Sequence, residues 1–417
     1  MKKKIITTMF VGAMLPFQGI ADSDVGGHEH AGGHEHGAVS DHHTMHDQVT
    51  DKKWELYGAL YMAMQSNYGG SALSHDGEKA QRNLFLTSDG TTIGFRGAIP
   101  LDDELKAVWQ IESVINLDEV AESSGHGHGT QPSNHNDSTL AGGHNNFLGL
   151  TGGFGTVLAG KHNTPFFDAT IQFDLFHHLP GDARALLGSI PGTESGSGDH
   201  HASTFNASAP DMIMYKSPKM GGFSAEAAYF GMNETLAETN ESSSAYGIGA
   251  RYAQKGFILV AAYEQHNNFD LFQADLNADG TPETYTLDTT TGIVLGGMVH
   301  FFDGQTMVGA FVEQLSASDP NFSDADRVGY YVNFQQRFMG KNKFKFAYAS
   351  ANEFEDKDAA QNFTLGYVRE LGTATEAYII YSQTQNDEEA AYSNGTVGPL
   401  GHGGDPSTLA FGLVHSF

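Results

Sequence analysis

Leu105-Lys106-Ala107-Val108-Trp109-Gln110-Ile111-Glu112-Ser113-Val114-Ile115 is the stretch that decides the fold. Leu105, Ala107, Trp109, Ile111 and Ile115 share one parity, and Lys106, Gln110 and Glu112 share the other. Side chains alternate across a strand, so the segment presents one apolar and one polar face. Its length suits a tilted strand that crosses a bilayer, which needs about 9–11 residues. The pattern recurs toward both ends. Trp54, Leu56, Leu60, Met62 and Met64 share a parity in residues 54–64. In residues 409–417, Leu409, Phe411, Leu413 and Phe417 share a face while Ala410, Gly412 and Ser416 turn away. A strand with one face in hydrocarbon and one in water reads this way. The alternative is a soluble β-sandwich, which needs a dry second parity. Here that parity is Gly, Ser, Thr, Gln, Glu and Lys.

The connections alternate in length. Short glycine-bearing turns fall near Gly152–Gly155, Pro218–Gly222, Gln254–Gly256, Phe302–Gly304, Phe338–Asn342 and Leu371–Thr373. Long polar connections cover roughly 65–90, 117–145, 162–208, 232–243, 267–290, 316–326, 352–360 and 385–406. Eight long connections predict 16 strands. The fold class is all-β: a 16-stranded antiparallel transmembrane barrel with short periplasmic turns and long extracellular loops.

Composition narrows the function. The chain of 417 residues has no cysteine, so disulfides, thiolate nucleophiles and Cys-ligated metals are excluded. Its formal charge of −28 argues against nucleic acid, which needs a basic face. Lys2, Lys3 and Lys4 precede an apolar run from Ile5 to Ile20, with Gly19 and Ala21 placed like a cleavage site. Residues 1–21 read as a secretory signal peptide; the alternative, a membrane anchor, is interrupted by Pro16 and Gln18. Its removal takes three lysines from the charge of −28, leaving −31.

Residues 22–50 have almost nothing to bury and read as a disordered periplasmic tail, with the barrel over 51–417. The tail carries His28, His30, His34, His36, His42, His43 and His46, and the second long connection carries His126, His128, His135 and His144. Neutral imidazoles ligate Zn²⁺, Cu²⁺ and Ni²⁺, so these segments are candidate metal binders at the two mouths. No cofactor is required. Acidic loops offer further places for divalent cations.

Several stretches resemble the general porins of Gram-negative outer membranes, of the trimeric type found in neisserial and Burkholderia-like bacteria. They are Trp54-Glu55-Leu56-Tyr57-Gly58, Thr92-Ile93-Gly94-Phe95-Arg96-Gly97, the 105–113 segment, Phe147 through Val157, Gly160 through Asp168, and Phe411 through Phe417. Together they span most of residues 54–417. The resemblance implies an outer-membrane homotrimer that passes small hydrophilic solutes and ions, set among lipid and lipopolysaccharide. It implies a third loop, 162–208, folded into the lumen, and a terminal Phe417 read by the barrel-assembly machinery. Residues 205–215 depart from the family by lacking an Arg, which thins the basic side of the pore.

Selectivity then rests on charges at the narrowest point. The loop offers Asp168, Asp174, Asp182 and Asp199 against Arg184, and the strand parities put Arg96, Lys106, Gln110 and Glu112, with Lys161, on the lumen side. The negative total predicts cation preference. Catalysis is not expected, because no nucleophile and base stand in a recognisable arrangement. Two rival readings remain at this point: a metal-binding exported β protein with no open pore, and a channel specific for one substrate.

Overall fold

The computed structural model describes residues 52–70, 81–115, 117, 140–142, 145–191, 201–231, 243–268, 271–274, 283–286, 288–318, 325–353, 357–399 and 401–417. The expected signal peptide, the tail with His28, His30, His34, His36, His42, His43 and His46, the histidines His126, His128, His135 and His144, and Asp199 lie outside the described residues.

Sixteen antiparallel strands close into one barrel. They are β1 (Glu55–Tyr68), β2 (Asn83–Thr87 continuing as Thr92–Pro100), β3 (Leu105–Ile115), β4 (Leu140–Gly142 continuing as Asn146–Gly152), β5 (Gly155–Asn163), β6 (Ser208–Lys216), β7 (Phe223–Phe230) and β8 (Ser244–Gln254). Then come β9 (Phe257–Asn267), β10 (Thr289–Phe301), β11 (Thr306–Ser318), β12 (Ala325–Phe338), β13 (Asn342–Ala351), β14 (Ala360–Glu370), β15 (Thr375–Asn386) and β16 (Ser407–Ser416). The six short turns and eight long connections follow the expected order, but the first long connection is shorter than the expected 65–90, because Gln65–Tyr68 and Asn83–Thr87 are strand. Leu140–Gly142 is strand within the expected 117–145, and 101–104 adds a seventh short turn.

The alternation explains the orientation. On β3, Ile111 is 62% exposed and points outward, while Gln110 and Glu112 are buried inside. Leu60, Leu148, Ile213 and Leu259 continue the outward apolar belt. Such a belt is stable against hydrocarbon and costly against water. Closure removes the edge. β16 pairs with β1 from Ala59↔Ser416 to Tyr68↔Ser407. Phe417 extends that seam: its N–H donates to the Gly58 carbonyl at 3.1 Å and its carbonyl accepts from the Gly58 N–H at 3.1 Å. A Cβ on Gly58 would stand 2.7 Å from the Phe417 ring, so glycine there lets the terminal aromatic lie on the strand.

β2 is broken at residues 88–91. Thr91 Oγ1 accepts from the Tyr61 N–H at 2.9 Å and donates to the Tyr61 carbonyl at 3.2 Å, replacing part of the ladder with a side chain.

The third connection folds into the barrel. It holds α1 (Pro165–Ile171), a 3-10 turn at Ala183–Ala185 and a short hairpin pairing Ser189–Pro191 with His201–Thr204. Thr164 caps α1, accepting from the Phe167 N–H at 3.3 Å, and Pro165 follows the cap, where a missing N–H costs nothing. Phe166, Phe173, Leu175, Phe176, Leu186 and Leu187 are buried in one cluster with inward residues running from β9 through β16 to β1. The core of this protein therefore lies inside the barrel, between the loop and one wall.

Candidate channel constriction

Side chains on the covered wall hold the backbone of the loop. Glu313 on β11 accepts from the Gly188 N–H at 2.8 Å. On β12, Arg327 donates to the Leu186 carbonyl and Asn333 donates to the Phe173 carbonyl. Lys345 on β13 donates to the Leu175 carbonyl at 3.2 Å. Arg327 also donates to the Tyr392 hydroxyl at 2.8 Å, which ties in the eighth connection. These wall residues are almost fully buried. A buried polar group is tolerable only when hydrogen-bonded, and each loop carbonyl here finds a donor from the wall. Glycines make room for the packing: a Cβ on Gly292 would stand 2.9 Å from Phe205, and one on Gly296 2.8 Å from Phe173.

Inside the loop, two expected constriction carboxylates are turned inward. Asp174 is 4% exposed and accepts from the Phe176 and Ala183 N–H groups, both at 2.9 Å, and from the Tyr331 hydroxyl at 3.2 Å. Asp182 accepts from the His178 N–H at 2.9 Å and from Arg184 through Nε at 3.0 Å and Nη2 at 2.7 Å. His177 lies between them, its Nδ1 at 3.8 Å from Asp174 and 3.3 Å from Asp182. Burial, then the charge of Asp182, pushes the Asp174 carboxyl up to about 7. Burial would raise Asp182 as well, but the Arg184 guanidinium and the N–H donors hold it below the ordinary carboxylate value.

The opposite wall is less covered. Arg96 on β2 meets Glu55 at 3.1 Å and lies over the Tyr57 ring, whose hydroxyl donates to Glu112 at 2.9 Å. Lys216 on β6 contacts Asp168 of α1 at 3.0 Å and Glu226 of β7 at 3.6 Å. Arg251 on β8 donates to Gln172 at 3.3 Å. Lys106 and Lys161 are half-buried. A smaller apolar cluster of Val108, Leu158, Met212, Met214 and Phe230 separates these polar groups.

The structure thus brings Asp168 to the wall cation Lys216, keeps Arg184 within the loop on Asp182 and His178, and puts Arg96 and Glu112 in one network beside Tyr57. Asp174 and Asp182 belong to the loop's own interior. Sequence reasoning missed Lys216, Glu226 and Arg251 on the open side, although inward parity on β6 to β8 marks all three. Lys216 supplies a cation one residue past the stretch read as short of one. It also missed the loop anchors Glu313, Arg327, Asn333 and Lys345.

A family model described as "Gram-negative porin" matches residues 36–389. A major outer membrane protein P.IB of Neisseria sicca is 26% identical over 212 residues, covering 49% of this chain and 50% of that protein. A major outer membrane protein P.IA of Neisseria meningitidis serogroup B is 27% identical over 201 residues, covering 48% of this chain and 42% of that protein. The chain thus spans about half the length of the curated relatives it matches. The anion-selective porin from Comamonas acidovorans has the same fold, with a TM-score of 0.67 at 19% identity, over 87% of this chain and 99% of that one.

Proposed function

This chain belongs to the Gram-negative porin family and lies in the outer membrane, and on that premise we propose that it forms a water-filled channel for passive diffusion of small hydrophilic solutes and ions. The reading treats it as a channel rather than an enzyme. The observation that carries it is the closed barrel with its third connection packed against one inner wall. A homotrimer is the assembly we propose, on family grounds. The purified chain in a planar bilayer should give stepwise, ohmic conductance. Folded, heat-modifiable protein that gives no steps would overturn the channel.

The channel prefers cations, in this reading, because of its long-loop mouth. Outside the third connection, the basic residues of the long connections are Lys79, Arg82 and Lys357. Against them stand Asp118, Glu119 and Glu122 in the second, Asp270, Asp275 and Asp279 in the fifth, and Glu353, Glu355, Asp356 and Asp358 in the seventh. Inside, Arg96 and Lys216 face carboxylates and Arg251 meets the neutral Gln172, so in this reading the field of the more numerous carboxylates of the long connections sets the sign. That field is screened over about 30 Å at 0.01 M salt and about 3 Å at 1 M. The zero-current potential should therefore be cation-sided at low salt and shrink at high salt. An anion-sided potential at low salt, the preference in the Comamonas porin's name, would reverse the assignment.

The His-rich residues 22–50, and the histidines of the second connection, bind zinc or a similar ion in this reading, and acidic loops hold divalent cations beside lipopolysaccharide. Neutral imidazole chemistry supports the first. Equal growth under zinc limitation with and without residues 22–50 would remove any role in uptake. Phe417, displayed at the β1 seam, is the residue we assign to recognition by the barrel-assembly machinery.

A further inference from the structure

We propose that His177, His178 and Asp182, at the inward turn of the third connection, form a site for a divalent transition-metal ion such as Zn²⁺, for which Arg184 is the built-in competitor. The site uses none of the histidines of residues 22–50 or of the second connection. Only its effect on ion flow rests on the channel reading.

Each of the three residues offers one ligand atom, and the three atoms lie within 4.8 Å of one another. Two imidazoles and a carboxylate are a donor set that suits zinc, with a fourth position left for water. Tetrahedral bonds of about 2.0–2.1 Å place ligand atoms roughly 3.3 Å apart, so side-chain rotation must draw the group together by up to about 1.5 Å.

The backbone is arranged for this meeting. His178 has φ 58°, the left-handed region that a side chain with a Cβ rarely adopts. That turn sets its ring beside the ring of His177, with centroids 3.9 Å apart. The barrel wall yields to it. Gly90, in the break of β2, has φ +84°, and a Cβ there would stand 2.7 Å from the His178 Cβ. His177 is buried at 5% exposure, with Phe167 beside its ring, while His178 is half-buried and Arg184 has 29% of its side chain exposed. The route to the site runs past His178 and Arg184.

Arg184 marks where a cation sits. Its Nη2 is 2.7 Å from Asp182 Oδ2 and 3.4 Å from His178 Nδ1, so one guanidinium bridges two of the three ligand residues. A metal ion entering there displaces it toward the lumen. The loop then carries two added positive charges and an unpaired guanidinium, which favours anions in the adjoining passage.

The test uses the full chain in detergent and in planar bilayers, with zinc as the probe. Calorimetry should show that His178→Ala loses one zinc equivalent, weakened by about 100-fold, at least the cost of losing an outer partner of a metal ligand. Arg184→Gln should tighten that equivalent by about tenfold if Arg184 leaves Asp182 about a tenth of the time. Zinc should shift the zero-current potential of the unmodified chain toward anions by more than it shifts that of His178→Ala, whose residual shift reports the tail and the mouth. Unchanged zinc stoichiometry in heat-modifiable, folded His178→Ala overturns the site. If that variant does not fold, Arg184→Gln decides alone, and an unchanged or weaker zinc affinity overturns the proposal. A chain that never conducts defeats the channel reading, and the calorimetry still decides the metal site.

Discussion

Arg327 and Lys345 point inward from β12 and β13; Lys106 and Lys216 lie on the inward parity of β3 and β6. All four are cations on the same polar parity of the same barrel. The first two are buried and spend their donors on loop carbonyls, whereas Lys216 keeps 24% of its side chain exposed against Asp168 and Glu226. What separates them is how deeply the third connection buries them, since α1 reaches Lys216 through Asp168 and still leaves it partly exposed. Covering a charge raises the cost of leaving it unpaired and turns it into an anchor. A partly exposed charge is screened and contributes more to the field than to stability. The same residue type therefore holds the constriction on one wall and tunes the passage on the other.

The sharpest way to break that comparison is Arg327→Leu. It leaves Glu313 buried without its nearest cation and removes donors to Leu186 and Tyr392. Removing one partner of a buried pair costs about 3–5 kcal/mol. Thermal unfolding, read from heat-modifiable gel mobility, should fall, and single-channel steps should grow larger and noisier as the loop loosens. A stable variant with unchanged steps would show that the covered wall does not hold the loop. Gly296→Val attacks the same docking by sterics. Its Cβ would stand 2.8 Å from the Phe173 ring and 2.9 Å from the Phe311 Cβ. Overpacking of this kind costs about 1–3 kcal/mol, so the shift in unfolding should be smaller than for Arg327→Leu.

Lys216→Gln sharpens the comparison from the other wall. Its ion pairs are partly exposed, so the loss of stability should stay under about 1 kcal/mol. The zero-current potential should move toward cations, because Asp168 and Glu226 lose their shared partner. A large drop in stability with no change in potential would make Lys216 an anchor and erase the distinction between the walls.

The barrel was legible because its signal is periodic: Ile111 against Glu112 on β3, or Phe411 against Ala410 on β16, fixes a face at every step. Lumen parity was legible for the same reason, which is why Arg96 and Glu112 were placed inside. The loop has no period to read. Asp174 and Asp182 sit in a segment whose side chains can turn either way, and their hydrogen bonds come from the loop's own N–H groups and from Tyr331, far away in sequence. A cue was present nonetheless. Phe166, Phe167, Phe173, Leu175, Phe176, Leu186 and Leu187 make residues 165–190 too apolar for a solvated loop, and a segment that buries so much must enclose some of its polar groups with it. The anchors were hidden for the opposite reason: Glu313, Arg327 and Lys345 look like ordinary lumen charges until the loop is laid over them.

The weakest link on this scale is the ion pair between Lys357 of the seventh connection and Glu388 of the eighth, 2.5 Å apart with side chains 52% and 74% exposed. The hydrogen bond and charge of Lys357 lower the Glu388 carboxyl below its ordinary value. A carboxylate lowered in the folded state adds stability above the unfolded value and loses it as pH falls through the folded value, so any contribution is present at neutral pH and absent in strong acid. High exposure of both side chains screens it. Lys357→Ala should leave the unfolding temperature unchanged at physiological salt and pH 7, with a small drop only at low salt. The short distance alone would suggest a strong contact; burial decides otherwise. A loss as large as that of Gly296→Val would mean that the long-loop rim, and not the covered wall, holds the loops in place.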